Sequence, residues 1–246
     1  MHELLLNGFV TEFRKLNMQR SAIIIGASGG IGGALADQLE AGDGYKVYRL
    51  GRSSALFLDL TNENSISAAA QHLAEIACTP ELIIVATGLL HRDGKGPEKS
   101  LRELDPDWML ENYRINAVGP ALVAKHFLPL MPRNRRTCLA ILSARVGSIS
   151  DNKLGGWHSY RSSKAALNML IRNLSIEWQR KNPASIIVGL HPGTVETALS
   201  APFKGNPATE RFDPRNAADQ LLRVLDGLNP EQSGQLFAYD GSLIAP

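Results

Sequence analysis

Seven residues, Gly26-Ala27-Ser28-Gly29-Gly30-Ile31-Gly32, constrain this chain more than any other stretch in it. SAIII precedes them and ALADQLE follows, so a buried, β-branched run must turn sharply into a helix. With no Cβ at Gly26, Gly29, Gly30 and Gly32, the backbone N–H groups around Ser28 and Ile31 can face an anion at the helix start. There the unpaired amides and the helix dipole favour a phosphate. A glycine-rich string by itself can be only a tight turn. Its position between strand and helix is what favours binding of a dinucleotide pyrophosphate.

The same alternation continues downstream. SAIIIG, YKVYRLG, LFLDL, ELIIVATG, TCLAILS and SIIVGLHPG read as strands. Between them lie the helix-like IGGALADQLEAG and SISAAAQHLAEIA, a long helix from about Pro106 to Leu130, and a helix from about His158 to Arg180. Asp213-Pro214 reads as N-cap and first-turn residue of a last helix ending at Leu228. Near-continuous Ile, Val and Leu runs are expected where helices cover both faces of a sheet. The fold class expected is therefore α/β, a Rossmann-like doubly wound parallel sheet. With 44% hydrophobic residues in 246, the core can be large. Residues 21–246 read as one dinucleotide-binding domain and residues 1–20 as an N-terminal extension, with Met18 an alternative start. LLHRDGKGPEKSLREL and TALSAPFKGNPATERFDP are irregular and follow carboxyl ends of strands, where ligands bind. Leu199 and Phe203 in the second could form an apolar lid or ordinary loop packing.

Twenty-six Lys and Arg against 24 Asp and Glu leave no basic excess for a nucleic acid. No apolar run reaches the roughly 20 residues needed to cross a bilayer, and no signal peptide is recognisable, so a cytoplasmic, non-membrane protein is expected. Cys78 and Cys138 stand far apart without a CxxC pattern, and His91, His158 and His191 come from separate segments. Structural thiols and no metal site follow.

After the second strand, Gly51-Arg52 stands where an acidic residue would otherwise meet the adenosine ribose hydroxyls. A guanidinium suits a 2′-phosphate, which favours NADP(H) over NAD(H); a merely solvated charge is the competing reading. Tyr160-Arg161-Ser162-Ser163-Lys164 stacks a phenol and an ammonium on one helix face. A nearby ammonium favours the phenolate, so Tyr160 is expected to exchange its proton near neutral pH, with Lys164 also free to hold a ribose. Trp157, just ahead, either lines a substrate mouth or plugs the helix start.

Glycine turn and YxxxK in this order resemble the short-chain dehydrogenases/reductases of the classical type, from Ser21 to about Leu199, and within them the C-factor-like group, through SARVGSISDNKLGGW, YRSSKAALN and the ending GQLFAYDGSLIAP. The resemblance implies catalytic Tyr160 and Lys164, with Asn116 anchoring Lys164 through water. It implies cofactor contacts at Asp59 and the adjoining Leu60, unless Asp59 only prepares a helix N-cap. Further contacts are implied at Ala86 and Gly88, and in the loop Pro192-Gly193 with Val195 and Thr197. It also implies a homodimer or homotetramer and a small carbonyl or alcohol substrate. Two positions depart from the pattern. Val85-Ala86-Thr87-Gly88 stands where the family has NNAG, and Ala144 stands where the catalytic serine is expected. Ser143 is retained as the candidate serine, with Ser148 or Ser150 as substitutes, although a strand would turn Ser143 to the opposite face. The reading is an oxidoreductase. A nucleotide-binding signalling protein whose chemistry has decayed is the alternative, one with no need of Tyr160 and Lys164.

Overall fold

The computed structural model describes residues 20–203 and 211–246. Residues 1–19 of the N-terminal extension, Met18 among them, and the part of the last irregular loop at 204–210 lie outside the described residues; Arg20 already belongs to the first strand. The elements in order are β1 (Arg20–Ile25), α1 (Gly30–Ala41), β2 (Tyr45–Gly51), β3 (Leu56–Phe57), α2 (Glu63–Glu75), β4 (Pro80–Val85), α3 (Pro106–Tyr113), α4 (Gly119–Phe127) and β5 (Thr137–Leu142). They continue with α5 (His158–Gln179), β6 (Ser185–His191), β7 (Thr194–Val195), β8 (Arg211–Phe212), α6 (Pro214–Gly227), β9 (Leu236–Ala238) and β10 (Leu243–Ile244).

Eight strands form one sheet in the order β3-β2-β1-β4-β5-β6-β9-β10. All neighbours are parallel except β9 and β10. The strand order reverses between β1 and β4, so their connections leave toward opposite faces and a crevice opens at their carboxyl ends. Strand alternation builds the two faces. Ile23, Ile25, Ile83, Val85, Leu139, Ile141 and Ile187 pack under α2, α4 and α5. Ala22, Ile24, Leu82, Ile84, Cys138, Ala140, Ile186 and Val188 pack under α1 and α6. Each fully buried Ile or Leu is worth about 1.5–3 kcal/mol, so these two layers dominate the folding energy. Both cysteines are buried and free, and no described helix is long and apolar enough to cross a membrane.

Asp213 caps α6 by accepting from the Arg215 and Asn216 amides, as its place before Pro214 predicts. Two expectations need correction. The helix expected over Pro106 to Leu130 changes register: Arg114–Val118 widens into a π turn between α3 and α4, and Leu128–Leu130 tightens to 3-10. Pro120 has no N–H to donate to the Asn116 carbonyl one turn back, which accounts for the lost register. Of LFLDL, only Leu56–Phe57 pairs with the sheet. Asn62, which accepts from the Asn64 amide, starts α2, so Asp59 is not its cap.

At the β1–α1 junction, backbone lies on backbone. Gly26 has φ +88°, a region where only glycine is unstrained. A Cβ on Gly32 would lie 2.2 Å from the Gly26 carbonyl oxygen. Gly227, at the end of α6, has nothing within 4 Å of its Cβ position. Gly32→Ala should therefore lower unfolding stability in urea by about 1–3 kcal/mol or more. Gly227→Ala should leave it unchanged or raise it by up to about 1 kcal/mol.

Candidate active site

A cavity of about 550 Å³ occupies the crevice at the strand reversal. Its floor is the glycine turn. Helix α1 starts behind Gly29 with no side chain capping it and no acidic residue in its first turn, so its amide end is left to an external anion. Thr197 packs on that turn from the loop after β7, and a Cβ on Gly30 would lie 2.9 Å from the Thr197 Cγ2.

Gly26, Ser28, Gly29, Gly30, Ile31, Arg52, Asp59, Leu60, Ala86, Gly88, Ser143, Tyr160, Lys164, Pro192 and Thr197 all line this cavity. Gly32, Gly193, Val195 and Asn116 do not. Gly32 closes the strand against the helix. Gly193 has φ +75° and its Cβ position is filled by Phe212 and Tyr239, and Val195 is buried against Phe212 and Ala217. Asn116, in the π turn, is buried. Its Nδ2 donates to the Leu89 carbonyl at 2.9 Å and to Ser163 Oγ at 3.1 Å, and its Oδ1 accepts from the Leu89 amide at 2.8 Å. It therefore braces the backbone just past Gly88, near Lys164: Asn116 Oδ1 and Lys164 Nζ come within 3.7 and 3.9 Å of the Gly88 Cβ position.

Asp59 Oδ1 accepts from the Thr61 amide and hydroxyl, at 2.9 and 2.8 Å. The Thr61 amide bond is the main cause holding the Asp59 carboxyl below its usual range, with Arg52 adding a smaller pull in the same direction. Arg52 is exposed at the cavity rim. The sequence reading missed Thr87, whose hydroxyl is buried on the cavity wall without a partner among the described residues. A buried hydroxyl left unpaired costs about 1–3 kcal/mol, which a polar ligand in the cavity would relieve. Together the uncapped helix start, the glycine cradle and the Thr87 hydroxyl fit a pyrophosphate dinucleotide.

Tyr160 opens α5, and Lys164 follows one turn later with Nζ 5.9 Å from the phenol ring centre and donating to the Leu142 carbonyl at 2.8 Å. Burial pushes the Tyr160 phenol up to about 12 and Lys164 down to about 7. Burial thus opposes the expected exchange of the Tyr160 proton near neutral pH, because it disfavours the charged form of both groups. Tyr160 is held as a phenol.

β5 has ended at Leu142, so strand alternation no longer governs Ser143. It turns toward α5 and donates its hydroxyl to Asn168 Oδ1 at 2.6 Å. Ala144 packs against Tyr160 and Leu90, with Val146, Trp157, Leu199 and Phe203 around them. A methyl group therefore stands where the family serine is expected, while Ser143 lies on the cavity wall with its hydroxyl bonded to Asn168. Ser148 and Ser150 do not replace it, since both hydroxyls donate to the Pro246 carbonyl. Trp157, at the N-cap position of α5, stands edge-on to Tyr160 and tilted against Phe203, in the apolar cluster beside the cavity. His91 Nε2 bonds the Ala198 carbonyl, and no cluster of metal-ligating groups occurs among the described residues.

A parallel sheet with a phosphate-binding turn at its switch point and a Tyr–Lys helix beside it defines a nucleotide-dependent α/β oxidoreductase. The profile of the short chain dehydrogenase family matches residues 20–207, and the chain belongs to that family, in its classical form, as an NAD(P)-dependent oxidoreductase. It is 31% identical to a 1-hydroxy-2-glutathionyl-2-methyl-3-butene dehydrogenase of Rhodococcus sp. (strain AD45), over 91% of this chain and 98% of that one. It is 36% identical to the C-signal of Myxococcus xanthus, over 58% of this chain and 81% of that one. Its fold matches an NADPH-bound carbonyl reductase from chicken fatty liver with TM-score 0.79, at 25% identity, covering 93% of this chain and 94% of that one.

The depressed Lys164 has a stability consequence. Below pH 7 both folded and unfolded chains hold its proton, and the folded state bears the full cost of a buried ammonium. Between pH 7 and the unfolded value of about 10.4 the unfolded chain binds more protons, so stability rises with pH. Tyr160, raised rather than lowered, acts only above pH 10. Urea unfolding should therefore give a larger gain from pH 7 to pH 9 in the wild type than in Lys164→Met. Equal gains would put the buried ammonium elsewhere.

Proposed function

We propose that this protein reduces a carbonyl compound with NADP(H), as a single dinucleotide-binding domain in which Tyr160 is the proton donor. The observation that carries the reading is that one cavity joins an uncapped, glycine-led helix start to a buried phenol with an ammonium behind it. The glycine turn, Ser28 and Ile31 would hold the pyrophosphate, Arg52 the 2′-phosphate, Asp59 and Leu60 the adenine side, and Ala86, Gly88, Pro192 and Thr197 the nicotinamide half. When bound, the cofactor supplies a hydride to the carbonyl carbon. Tyr160 gives its proton to the carbonyl oxygen. Lys164 stands behind the phenol to replenish it, and Asn116 fixes the Leu89 backbone and Ser163 around that relay.

Leu199 on the cavity wall is continuous with an apolar cluster of Leu90, Ala144, Val146, Trp157 and Phe203 around Tyr160, which suits a carbonyl carrying an apolar substituent. The NADPH in the chicken carbonyl reductase structure supports the choice of cofactor. Likeness to the C-signal and the alanine at 144 motivate the signalling alternative. The buried Tyr160–Lys164 pair argues against it, because two desolvated ionisable groups carry a cost that a scaffold need not bear. Exposed Leu110, Val118, Met169 and Ile176 on α3, the π turn and α5 support a homodimer or homotetramer.

Titration by nicotinamide fluorescence should give tight NADPH and weak NADH binding. Arg52→Asp should weaken NADPH by about 10- to 100-fold and change NADH little, since hydrogen bonds to a charged group are worth about 1.5–3 kcal/mol. With NADPH and a panel of aldehydes and ketones, Tyr160→Phe should lower kcat by about 10²–10⁴-fold with NADPH affinity kept. Ala144→Ser should raise kcat by roughly tenfold, the worth of one added hydrogen bond to the substrate oxygen. Binding of neither nucleotide would bring the signalling reading forward.

A further inference from the structure

Glu98 lies in the irregular segment between β4 and α3, yet it is only 3% exposed. A carboxylate is rarely buried without a cationic partner, and among the described residues Glu98 forms no ion pair. Its partners are instead the first turn of α5. Its Oε2 accepts from the Ser159 amide at 3.1 Å, its Oε1 accepts from the Ser159 hydroxyl, and its backbone carbonyl accepts from the Trp157 amide at 2.5 Å.

Helix α5 needs this help. Its N-cap position is Trp157, which offers no capping side chain and lies in the left-handed region at φ +51°. Gly155 and Gly156 before it are left-handed too, both at φ +63°. Glycine adopts this region without strain, but a bulky residue such as Trp157 persists there only where the surroundings fix it. The backbone of residues 98 and 99 supplies part of that fixing, with the Glu98 and Lys99 carbonyl oxygens 3.5 and 3.7 Å from the Gly156 Cβ position. The negative charge also faces the positive end of a 22-residue helix.

Ser159 immediately precedes Tyr160, and the Trp157 indole packs edge-on against the Tyr160 ring. We infer that Glu98 is a positioning residue: reaching across 61 positions, it caps the catalytic helix and so fixes the Tyr160 phenol, and the Trp157 ring packed against it, relative to the irregular segment between β4 and α3. The same segment is tied to α3 by Arg92–Glu111 and Lys95–Asp105, and to the loop after β7 by His91. The tether thus joins the substrate side of the cavity to its proton donor. A shift of about 1 Å at a reacting group can cost about a hundredfold in rate, so a cap at this point reads out in kcat.

This inference rests on Tyr160 catalysis, and the test separates the two. Glu98→Ala, Glu98→Gln and Ser159→Ala are compared with the wild type, using 4-nitrobenzaldehyde as probe substrate, NADPH affinity by nicotinamide fluorescence, and hydrogen exchange of the peptide spanning residues 155–163. The expected result is faster exchange in that peptide and a kcat at least tenfold lower in Glu98→Ala, with NADPH affinity within twofold of the wild type. Glu98→Gln, which keeps an acceptor for the Ser159 amide, should recover most of both. Unchanged exchange in Glu98→Ala, a parallel loss of NADPH affinity, or a glutamine variant no better than alanine would overturn the positioning role. If the wild type turns over no carbonyl while Glu98→Ala still loosens the peptide, the catalytic reading fails and the tether stands.

Discussion

The structure depends on one contact in which backbone meets backbone, where α1 crosses the end of β1. The Gly26 amide donates to the Leu50 carbonyl of β2 at 2.8 Å, and the Gly26 carbonyl oxygen lies against Gly32 of α1. The Ala86 amide donates to the Ile25 carbonyl at 2.8 Å, so the last bond between β1 and β4 is made just before the two chains part. A side chain at Gly26 or Gly32 would lift the helix off the sheet. The amide end of α1 would then no longer overhang the crevice, and the cavity would lose its floor while the rest of the sheet kept its pairing.

What the sheet provides beyond position is a surplus of hydrophobic burial that can offset costly polar groups. Lys164 is buried with one described acceptor, the Leu142 carbonyl, and Thr87 has none. Each is unfavourable in isolation. Both stand within the crevice, next to strands whose Ile and Leu side chains are fully covered on both faces. At these two positions a polar ligand in the crevice would relieve the cost. The π turn at Arg114–Val118 fits the same pattern, since it sets the Asn116 side chain against the backbone of Leu89.

Features written in consecutive residues were legible in the sequence. The β1 turn, the continuous apolar runs of the strands, the Asp213 cap and the one-turn spacing of Tyr160 and Lys164 all follow from local chemistry. What escaped was set by partners far along the chain. Glu98 reads as a loop acid until α5 is brought over it, and Asn168 reads as a helix-surface amide until the end of β5 presents Ser143. Thr87 sits in the stretch that departs from the family pattern, and no neighbour in sequence reveals that its hydroxyl is stranded. The register change before Pro120 did have a local signal, the missing N–H, but a proline can also be absorbed by a kink, so its form depends on how Gly119 packs against Leu60.

The alanine at 144 alters how the cavity must work. With a serine hydroxyl, a carbonyl oxygen would be held by two donors and oriented before the proton moved. Here Ser143 is engaged with Asn168 and a methyl group faces Tyr160, so in the proposed reaction the phenol would be the main donor to that oxygen. Burial holds that phenol protonated far above neutral pH, which keeps the donor available but makes it a weaker acid. In the proposed reaction, orientation would then fall to shape: Leu199 on the cavity wall, with Ala144, Trp157 and Phe203 packed around Tyr160, would have to align the substrate. Such packing works only if it does not move, and the proposed clamp on the turn before α5 is the backbone and carboxylate of Glu98.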